Sequence, residues 1–346
     1  MTKGKICIVG HFGQDKLLLN GQTIKTEVLT GFLEEKFGPD QILRIDTSGG
    51  WNALYRIPYH LFGKIRKCDN FIILPAYKGL RYIMFLIAVI HPFTMTKFHY
   101  AVIGGWLPSF IEKRYFLSRW LHLLDGIYVE TVTMKKALEC NYKNIYLMPN
   151  SKKLNPVSFT NIPPLQYPIK LCTFSRVMKG KGLAEAAEVI CRINNKQGQT
   201  VFKLDIYGPI WPSDQEWFTS FIASCPDYIQ YKGFVESDKS VSVLKDYFML
   251  LFPTRFYTEG VPGTIIDAYA AGLPVLASRW ESFSDVIEDG KTGLGFAFDD
   301  FNMMERVLEK IQSNPHVVLA MKKDCLRKAS EFSPEKVFST LIDHLS

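Results

Sequence analysis

Short apolar runs alternate along the chain with stretches whose apolar residues share one helical face. A short apolar run bounded by turn residues is typical of a buried strand, and apolar positions three and four residues apart are typical of a helix. The runs predict strands at 5–10, 41–46, 70–74, 99–103, 126–130, 144–148, 169–175, 201–207, 229–231, 247–252, 273–278 and, after a loop, within 290–296. The stretches between them predict helices at 24–37, 51–65 with an interruption at Pro58, 79–90, 107–124, 133–140, 183–194, 217–224, 240–246, 264–272, 284–287, 301–314 and 316–331. Strands that alternate with helices predict parallel sheets of α/β type.

The segment 150–168 divides this pattern into two series. It is rich in Pro, Asn and Ser and shows no periodicity, which is typical of a linker. A chain of 346 residues is also long for one domain. We therefore expect one α/β domain over 1–160 and a second over 161–331.

Composition indicates a globular protein of a reducing compartment. Hydrophobic residues make up 47% of the chain, and its 7 cysteines are scattered without a CxxC pair. Scattered cysteines favour free thiols in a cytoplasm and disfavour a zinc site. The amino terminus leads directly into a strand, with too short an apolar run for a signal peptide. The longest apolar stretch, 83–90, is too short to span a bilayer.

Charge is distributed unevenly between the two halves. Residues 1–165 hold 21 Lys and Arg against 11 Asp and Glu, whereas the remainder hold 20 against 23. A basic half indicates an anionic partner, either a lipid surface or a nucleic acid. Because no nucleic-acid motif is present, we expect peripheral contact with the inner face of an anionic membrane. The aromatic and basic residues of 107–124 suit an interfacial helix, although they could equally be ordinary core residues and a solvated face.

The stretch 252–272 carries two acids around a predicted helix start. Glu259 lies in the loop before the helix, and Asp267 lies in its first turn. A helix amino terminus presents unpaired N–H groups and attracts phosphate, so the two acids could flank a bound diphosphate. The alternative is that Glu259 is a solvated loop acid and that Asp267 only complements the helix dipole.

A second loop, 176–182, carries Arg176 and Lys181 between a predicted strand and helix. Ligands of open α/β sheets bind at this position, and Gly180 and Gly182 would let the backbone approach a phosphate that the two cations hold. A surface charge cluster is the alternative. The pair Asp299 and Asp300 is interpreted as a solvated turn and helix cap, and no metal site is expected.

The first strand is followed by Gly13, and Gly21 opens the next helix. Strand, glycine loop and helix form the opening unit of a doubly wound fold. The loop lacks a GxGxxG sequence, so a dinucleotide fingerprint is not supported, and the glycines could simply make the turn.

These motifs together resemble the retaining glycosyltransferases of family four. The resemblance is carried by Ser175-Arg-Val-Met-Lys-Gly-Lys-Gly182, the strand end at Gly208, Gly233-Phe234, and Glu259 with Asp267 followed by Ala270-Ala-Gly-Leu-Pro-Val275. It covers 169–296 well and the amino-terminal half only loosely. It implies the GT-B fold: two Rossmann-like, doubly wound domains that face each other across a cleft. It also implies that the amino-terminal domain binds the acceptor and that the final helix, 332–346, crosses back onto this domain.

The resemblance implies a role for each matching residue. Arg176 and Lys181 would hold the donor diphosphate, Glu259 would contact the transferred sugar, and these three are the expected catalytic residues. Further donor contacts are expected from Gly13, Gly21, Gly208, Gly233, Phe234, Gly260, Gly263, Thr264, Ile265 and Asp267, the last holding the ribose. Weak candidates for acceptor or sugar contacts are His11, His91, His99 and Trp106. Three departures concern sugar identity: Asp267 replaces the family's glutamate, Val261-Pro262 replaces its usual Phe-Gly, and no histidine of the amino-terminal half matches the family's sugar-contacting histidine by its position.

The expected activity is metal-independent transfer of a hexose from a nucleoside-diphosphate sugar to a saccharide, with UDP preferred over GDP. A lipid-linked acceptor in bacterial capsule, O-antigen or exopolysaccharide synthesis fits the basic half, and no bound cofactor is expected. Two alternatives stay open. One is a nucleotide-sugar epimerase on the same fold, and the other is a non-catalytic subunit that binds nucleotide sugar.

Overall fold

The computed structural model describes residues 5–13, 21–48, 51–161 and 164–345, without the side chains of 51–54 and 161. The chain divides into two compact units. Unit 1 comprises Met1–Lys153 with Phe332–Ser346, and unit 2 comprises Leu154–Glu331. The sequence placed the boundary after residue 160, whereas the structure places it after Lys153. The start of the predicted linker belongs to unit 2, where the Val157 N–H donates to the Ala270 carbonyl (2.9 Å).

Unit 1 contains a six-stranded parallel sheet in the order β2-β1-β3-β4-β5-β6. Its strands are β1 (Lys5–Gly10), β2 (Ile42–Asp46), β3 (Cys68–Ile73), β4 (Lys97–Ala101), β5 (Gly126–Val129) and β6 (Ile145–Leu147). Its helices are α1 (Gly21–Phe37), α2 (Trp51–Ile65), α3 (Tyr77–Ile90), α4 (Leu107–Glu112), α5 (Tyr115–Leu121), α6 (Val132–Glu139), and two from the end of the chain, α14 (Pro334–Val337) and α15 (Ser339–Leu345).

Both faces of this sheet are covered, which explains why its strands are apolar runs rather than alternating patterns. Helices α2 to α6 pack on one face, through residues such as Ile83 of α3 and Leu121 of α5. Helix α1 and the terminal helices cover the other face, where Phe338 and Leu341 are fully buried. The expected return of the carboxyl-terminal segment to the amino-terminal domain is confirmed.

Unit 2 repeats this architecture with the strand order β12-β11-β10-β7-β8-β9, all parallel. Its strands are β7 (Ile169–Phe174), β8 (Phe202–Tyr207), β9 (Ile229–Gly233), β10 (Met249–Phe252), β11 (Val275–Ser278) and β12 (Gly293–Phe296). Its helices are α7 (Leu183–Gln197), α8 (Gln215–Ala223), α9 (Ser240–Leu244), α10 (Gly263–Ala270), α11 (Phe283–Val286), α12 (Phe301–Ser313) and α13 (His316–Ala329). The prediction of two Rossmann-like α/β domains is therefore confirmed.

Each sheet has one point at which the strand order reverses direction. In unit 2 the chain builds outward from β7 through β8 to β9, then returns to β10 beside β7 and builds the other way. In unit 1 the same reversal lies between β1 and β3. Loops that leave neighbouring strands at a reversal diverge and open a crevice, and ligands of open α/β sheets bind there.

Three predicted helices differ from those observed. Helix α2 continues through Pro58, where the sequence predicted an interruption. The single helix expected over 107–124 is two short ones, because the chain turns at Lys113 and Arg114 between α4 and α5. The carboxyl-terminal helix is likewise divided at Phe338. Residues 14–20, which belong to the predicted glycine loop between the first strand and the first helix, lie outside the described residues.

The apolar helix α3 spans Tyr77–Ile90. Neither it nor any other helix in the described ranges combines the length and the hydrophobicity needed to cross a membrane.

Candidate functional site

The crevice between β7 and β10 in unit 2 gathers the predicted donor-binding residues. The loop after β7 carries Arg176 and Lys181, and the loop after β10 carries Glu259 and leads into α10. Strand β7 pairs with β8 on its other side, so the Gly208 turn leaves from the same edge of the sheet. Motifs separated by more than 70 residues in sequence thus converge on one crevice.

Lys181 and Glu259 are in direct contact. The Lys181 ammonium group donates a short hydrogen bond to Glu259 Oε1, and their side chains are only 12% and 19% exposed. The Thr254 hydroxyl donates to the same carboxylate oxygen at 3.0 Å. The rings of Phe252 and Phe256 flank the ammonium group, with their centroids at 5.3 and 5.1 Å. Desolvation and the aromatic rings both strengthen this contact relative to a surface ion pair.

The two glycines of the 176–182 loop are required by close packing. A Cβ on Gly182 would lie 2.1 Å from the Pro253 carbonyl oxygen, and Gly182 has a φ of +68°. A Cβ on Gly180 would lie 2.5 Å from the Phe256 ring, and the Gly180 carbonyl accepts from the Arg255 N–H (2.9 Å). The two loops are therefore in contact, and no larger residue fits at Gly182 without moving them apart.

Arg176 lies on the β8 side of the crevice. Its guanidinium carbon is 5.2 Å from the centroid of the Trp211 ring, and the side chain is half-buried. The neighbouring Gly208 has a φ of +135°, and a Cβ there would lie 1.8 Å from the Ser175 carbonyl oxygen. Its N–H donates to the Gly233 carbonyl (2.9 Å), which joins two further predicted donor residues. Phe234, beside them, is 49% exposed.

Helix α10 begins at Gly263, with Pro262 as the residue before it. The first N–H groups of a helix have no intrahelical acceptor, which leaves the amides of Gly263 and Thr264 directed along the helix axis toward its start. The Thr264 hydroxyl is buried and has no hydrogen-bond partner within the described part of the chain. The Ile265 amide, in contrast, donates to the Pro262 carbonyl (3.0 Å), so this expected phosphate donor is already used by the helix cap.

Asp267 lies deeper than the sequence predicted. It is the fifth residue of α10 rather than a first-turn residue, and it is only 3% exposed. Gly260, also expected near the donor, is buried in the loop before the helix.

Sequence reasoning missed two residues that hold the crevice together, Thr254 and Arg255. Thr254 is 1% exposed, and its carbonyl accepts from the Ser278 hydroxyl (2.5 Å). Arg255 forms ion pairs with Glu185 and Asp299, both at 2.7 Å, so Asp299 is not simply solvated as expected. Asp300 caps α12 through the Met303 N–H (2.8 Å), as predicted. Only the position of the 253–256 segment directly after a buried strand could have pointed to these residues.

In unit 1, the crevice between β1 and β3 holds only some of the predicted residues. His11 Nδ1 is 2.8 Å from the Thr23 hydroxyl oxygen, and a Cβ on Gly13 would lie 2.9 Å from Thr23 Cγ2. Thr23 thus fills the space beside Gly13, where the resemblance implied a contact with the donor. Gly21 is exposed at the first position of α1.

Asp46, at the end of β2, is a further polar group in this part of unit 1. Burial alone would raise the pKa of its carboxyl. Hydrogen bonds from Ser48 and from the Phe12 amide outweigh burial and hold the pKa below its ordinary value.

His99 is a core residue rather than a sugar contact. It is 1% exposed, and its ring nitrogens lie 3.1 Å from Asn70 Oδ1 and 3.2 Å from the Tyr128 hydroxyl. Burial lowers the pKa of His99 to about 3, with help from the nearby His344 and Lys97. Its neutral ring is fully used by protein partners, so the predicted sugar contact is wrong.

Trp106 and His91 also lie away from a ligand-facing position. Trp106 is 6% exposed and donates its indole N–H to the Ile103 carbonyl (2.6 Å). Tyr77 stacks on its ring at 4.3 Å and is itself 51% exposed, so Tyr77 is the exposed member of this aromatic pair. His91 lies between α3 and β4, before the amino-terminal end of β4, whereas His11 follows the carboxyl-terminal end of β1.

Across the described residues, no group of three or more His, Cys, Asp and Glu side chains is arranged to hold a metal ion.

The comparisons with known proteins agree with this arrangement. Residues 168–314, which contain the whole crevice of unit 2, match the family model described as glycosyl transferases group 1. Two α/β units with parallel six-stranded sheets form the fold of GT-B glycosyltransferases.

Individual curated proteins match a smaller part of the chain. The putative colanic acid biosynthesis glycosyltransferase WcaL of Salmonella typhimurium is 30% identical over 131 residues, which cover 36% of this chain and 32% of WcaL. The chain thus spans about a third of the length of the curated relatives that it matches.

Among solved structures, HepE of Anabaena, in complex with UDP and glucose, superimposes with a TM-score of 0.74 at 12% identity and covers 99% of both chains. Sucrose-phosphate synthase of Thermosynechococcus elongatus superimposes with a TM-score of 0.77 at 14% identity, over 99% of this chain and 98% of the synthase. At these identities the likeness shows the fold.

Proposed function

We propose that the protein is a retaining glycosyltransferase that transfers a hexose-type sugar from a nucleoside-diphosphate sugar to a saccharide acceptor in polysaccharide biosynthesis. One observation carries the proposal: two cations, an acid and the amino terminus of α10 converge on the crevice between β7 and β10. UDP is the preferred nucleotide, and the bound UDP and glucose of the structurally similar HepE support that choice.

The crevice offers the groups that a diphosphate needs. Arg176 supplies a planar pair of donors, Lys181 supplies a compact charge, and the start of α10 supplies free amides. The Thr264 hydroxyl, which has no hydrogen-bond partner among the described residues, lies at the same helix start, and a phosphate oxygen would satisfy it. These groups can stabilise the charge of a departing diphosphate without a metal ion, and we include metal independence in the proposal.

In the proposed reaction the bond between the sugar C1 and the β-phosphate oxygen breaks first, and the electron pair leaves with UDP. Arg176 and Lys181 stabilise the charge that develops on the phosphate. The acceptor hydroxyl then bonds to C1 on the face that the diphosphate leaves, and its proton passes to the leaving phosphate oxygen. Glu259 orients the sugar through its hydroxyl groups, and Asp267 holds the ribose. No side chain is required as a nucleophile.

Calorimetric titration of the protein with UDP, GDP and ADP tests the donor site. We expect one nucleotide to bind, and we expect Arg176→Ala to weaken it by about ten- to a hundredfold, the effect of losing charged hydrogen bonds. Arg192→Ala is the matched control, because Arg192 pairs with Glu305 on the surface of the same unit (2.6 Å). No binding by any nucleotide would refute the donor site. Binding without turnover of a nucleotide sugar would favour the non-catalytic alternative.

For the acceptor, we propose a lipid-linked saccharide reached at an anionic membrane surface. Residues 51–124 of unit 1 contain ten Lys and Arg but only two Asp and Glu. The outer surfaces of α3 and α5 combine cations with exposed rings, among them Phe85 (50%), Tyr115 (72%) and Phe116 (69%). Cations beside exposed aromatic rings suit the interface of an anionic bilayer.

The cations of this surface differ from those of unit 2 in their ion pairs. In the described part of the chain, Arg81, Lys113 and Arg119 form no ion pair, whereas surface cations of unit 2 such as Lys196 are paired with acids (2.6 Å to Glu309). Arg114 is not equivalent to them, because it lies over the Phe110 ring at 3.9 Å and donates to the Phe110 carbonyl.

Co-sedimentation with vesicles of phosphatidylglycerol and phosphatidylcholine tests this surface. The triple variant Arg81→Gln, Lys113→Gln, Arg119→Gln should lose up to about a hundredfold in vesicle affinity at low salt, since each cation near an anionic surface contributes about 1 kcal/mol. The control variant changes three exposed cations of unit 2, Lys203, Lys310 and Lys323, to Gln. Equal losses in both variants would show non-specific charge attraction instead of a membrane-binding surface.

A further inference from the structure

Lys181 and Glu259 are bound to each other in the crevice of unit 2. The proposed function assigns the cation to the diphosphate and the acid to the transferred sugar. In the structure, one short hydrogen bond joins the two groups, and both side chains are mostly buried. The ammonium group expected to bind the diphosphate and the carboxylate expected to bind the sugar therefore bind each other.

The surroundings hold the ion pair in place. The Thr254 hydroxyl donates to Glu259 Oε1 (3.0 Å) and accepts from the Phe256 amide (3.2 Å), so its orientation is determined by the backbone. Phe252 and Phe256 flank the ammonium group and keep water from one side of the pair. A carboxylate that is only 19% exposed loses part of its stabilisation if the cation leaves without a substitute, because water then replaces the cation incompletely.

We propose that Glu259 restrains Lys181 until a sugar-bearing donor arrives, so that the ion pair selects the nucleoside-diphosphate sugar over the free nucleoside diphosphate. The inference rests on the proposed function and specifies how this site distinguishes donor from product. It makes Glu259 a residue that determines specificity in addition to one that contacts the sugar.

Two ligands have different consequences for the pair. A free diphosphate attracts Lys181 but offers nothing to Glu259, so the partly buried carboxylate loses its cation. A nucleotide sugar brings hydroxyl groups that donate to the carboxylate while its diphosphate takes the lysine. The donor thus replaces the partners of both Lys181 and Glu259, whereas the free diphosphate replaces only the partner of Lys181. This difference weakens the binding of the product and favours its release.

The alternative is that Lys181 serves both groups at once. An ammonium group has three N–H donors, and one of them could reach the phosphate while another stays on Glu259. In that arrangement Glu259 would help to position the lysine, and its removal would weaken the binding of UDP.

Calorimetry of Glu259→Gln with UDP and with UDP-glucose distinguishes the two arrangements. Glutamine keeps the size of the side chain and loses the charge that holds Lys181. We expect Glu259→Gln to bind UDP about three- to tenfold more tightly than the unmodified protein, the effect of releasing one partly exposed ion pair. UDP-glucose should gain less or lose affinity, so that the preference for the sugar nucleotide falls.

Glu309→Gln is the matched control for charge. Glu309 also pairs with a lysine of unit 2, Lys196, at the end of α7 far from Lys181, and its loss changes the net charge by the same amount. It should leave the affinity for UDP unchanged. Lys181→Met should weaken both ligands.

The outcomes separate this inference from the proposed function. UDP binding that is lost in Arg176→Ala supports the donor site whatever Glu259 does. If the unmodified protein binds UDP and Glu259→Gln binds it equally or more weakly, the selection by the ion pair is refuted while the donor site stands. If the unmodified protein binds none of the three nucleoside diphosphates, the donor site and this inference are both refuted.

Discussion

The buried ion pair of unit 1 gives the sharpest prediction of stability. Lys25 of α1 donates to Glu130 Oε1 and to the Val102 carbonyl, both at 2.8 Å, and the side chains of Lys25 and Glu130 are 1% and 3% exposed. This pair joins α1 to the carboxyl ends of β4 and β5. Removing one member of a buried pair leaves a charge in a medium that solvates it poorly.

Lys25→Met should therefore destabilise unit 1 by about 3–5 kcal/mol. For a unit of this size, such a loss lowers the midpoint of thermal unfolding by roughly 6 to 20 °C. Hydrogen exchange followed by mass spectrometry on peptides of β1 to β5 measures the loss within unit 1, while peptides of unit 2 should keep their protection.

Two variants test the reasoning behind this magnitude. Lys153→Met removes an exposed pair with Glu35 (3.6 Å, with side chains 85% and 73% exposed), and it should change stability by no more than about 0.5 kcal/mol. The double variant Lys25→Met, Glu130→Leu should recover most of the loss, because no charge is then left buried. A loss in Lys25→Met as small as that in Lys153→Met would refute the account of this pair.

Three further predictions follow from single residues. The folded pKa of His99 is about 3 and its ordinary value is 6.5, so between these pH values only the unfolded chain binds this proton. Unit 1 should therefore lose up to about 1.4 kcal/mol of stability for each unit by which the pH falls in this window. In urea titrations His99→Gln should reduce that slope, whereas His316→Gln, an exposed control, should not. Gly182→Ala places a Cβ 2.1 Å from the Pro253 carbonyl oxygen at a φ of +68°, so it should abolish nucleotide binding in calorimetry, whereas Gly198→Ala, at a similar φ of +62° but in open space, should preserve it. Thr254→Val removes the hydroxyl that orients Glu259, so it should lower kcat for sugar transfer with little change in the affinity for UDP. Thr254→Ser keeps the hydroxyl and should retain most of the activity. Equal loss of activity in both variants would indicate a packing role for Thr254.

The sequence predicted the parallel strands well because they are buried on both faces. Each of them is a continuous apolar run, and such runs are visible without knowledge of their neighbours. The helix boundaries were harder to predict. Pro58 was expected to interrupt α2, although packing on the sheet through Ile57 and Leu61 holds the helix together there. The break between α4 and α5 has no glycine or proline to mark it.

The meeting of the loops that carry Arg176, Lys181 and Glu259 was predictable, because each of these loops directly follows a buried strand. A residue's role was not predictable where tertiary contacts decide it. The sequence cannot show that His99 is enclosed by Asn70 and Tyr128, since these residues come from different strands. For the same reason, neither the contact of Thr254 with Glu259 nor the burial of Asp267 could be predicted from spacing.

The most direct measurement of the central claim is an incubation of the protein with UDP-hexoses and a lipid extract of bacterial cell envelopes, followed by mass spectrometry of the acceptors and detection of released UDP. The account predicts that one donor yields UDP together with an acceptor heavier by one hexose residue, and that Lys181→Met abolishes both. It also predicts that the new linkage keeps the anomeric configuration of the donor, which NMR of the product would show. Consumption of the donor with an isomeric nucleotide sugar as its only product, or no glycosylated acceptor with any donor that binds, would contradict the account.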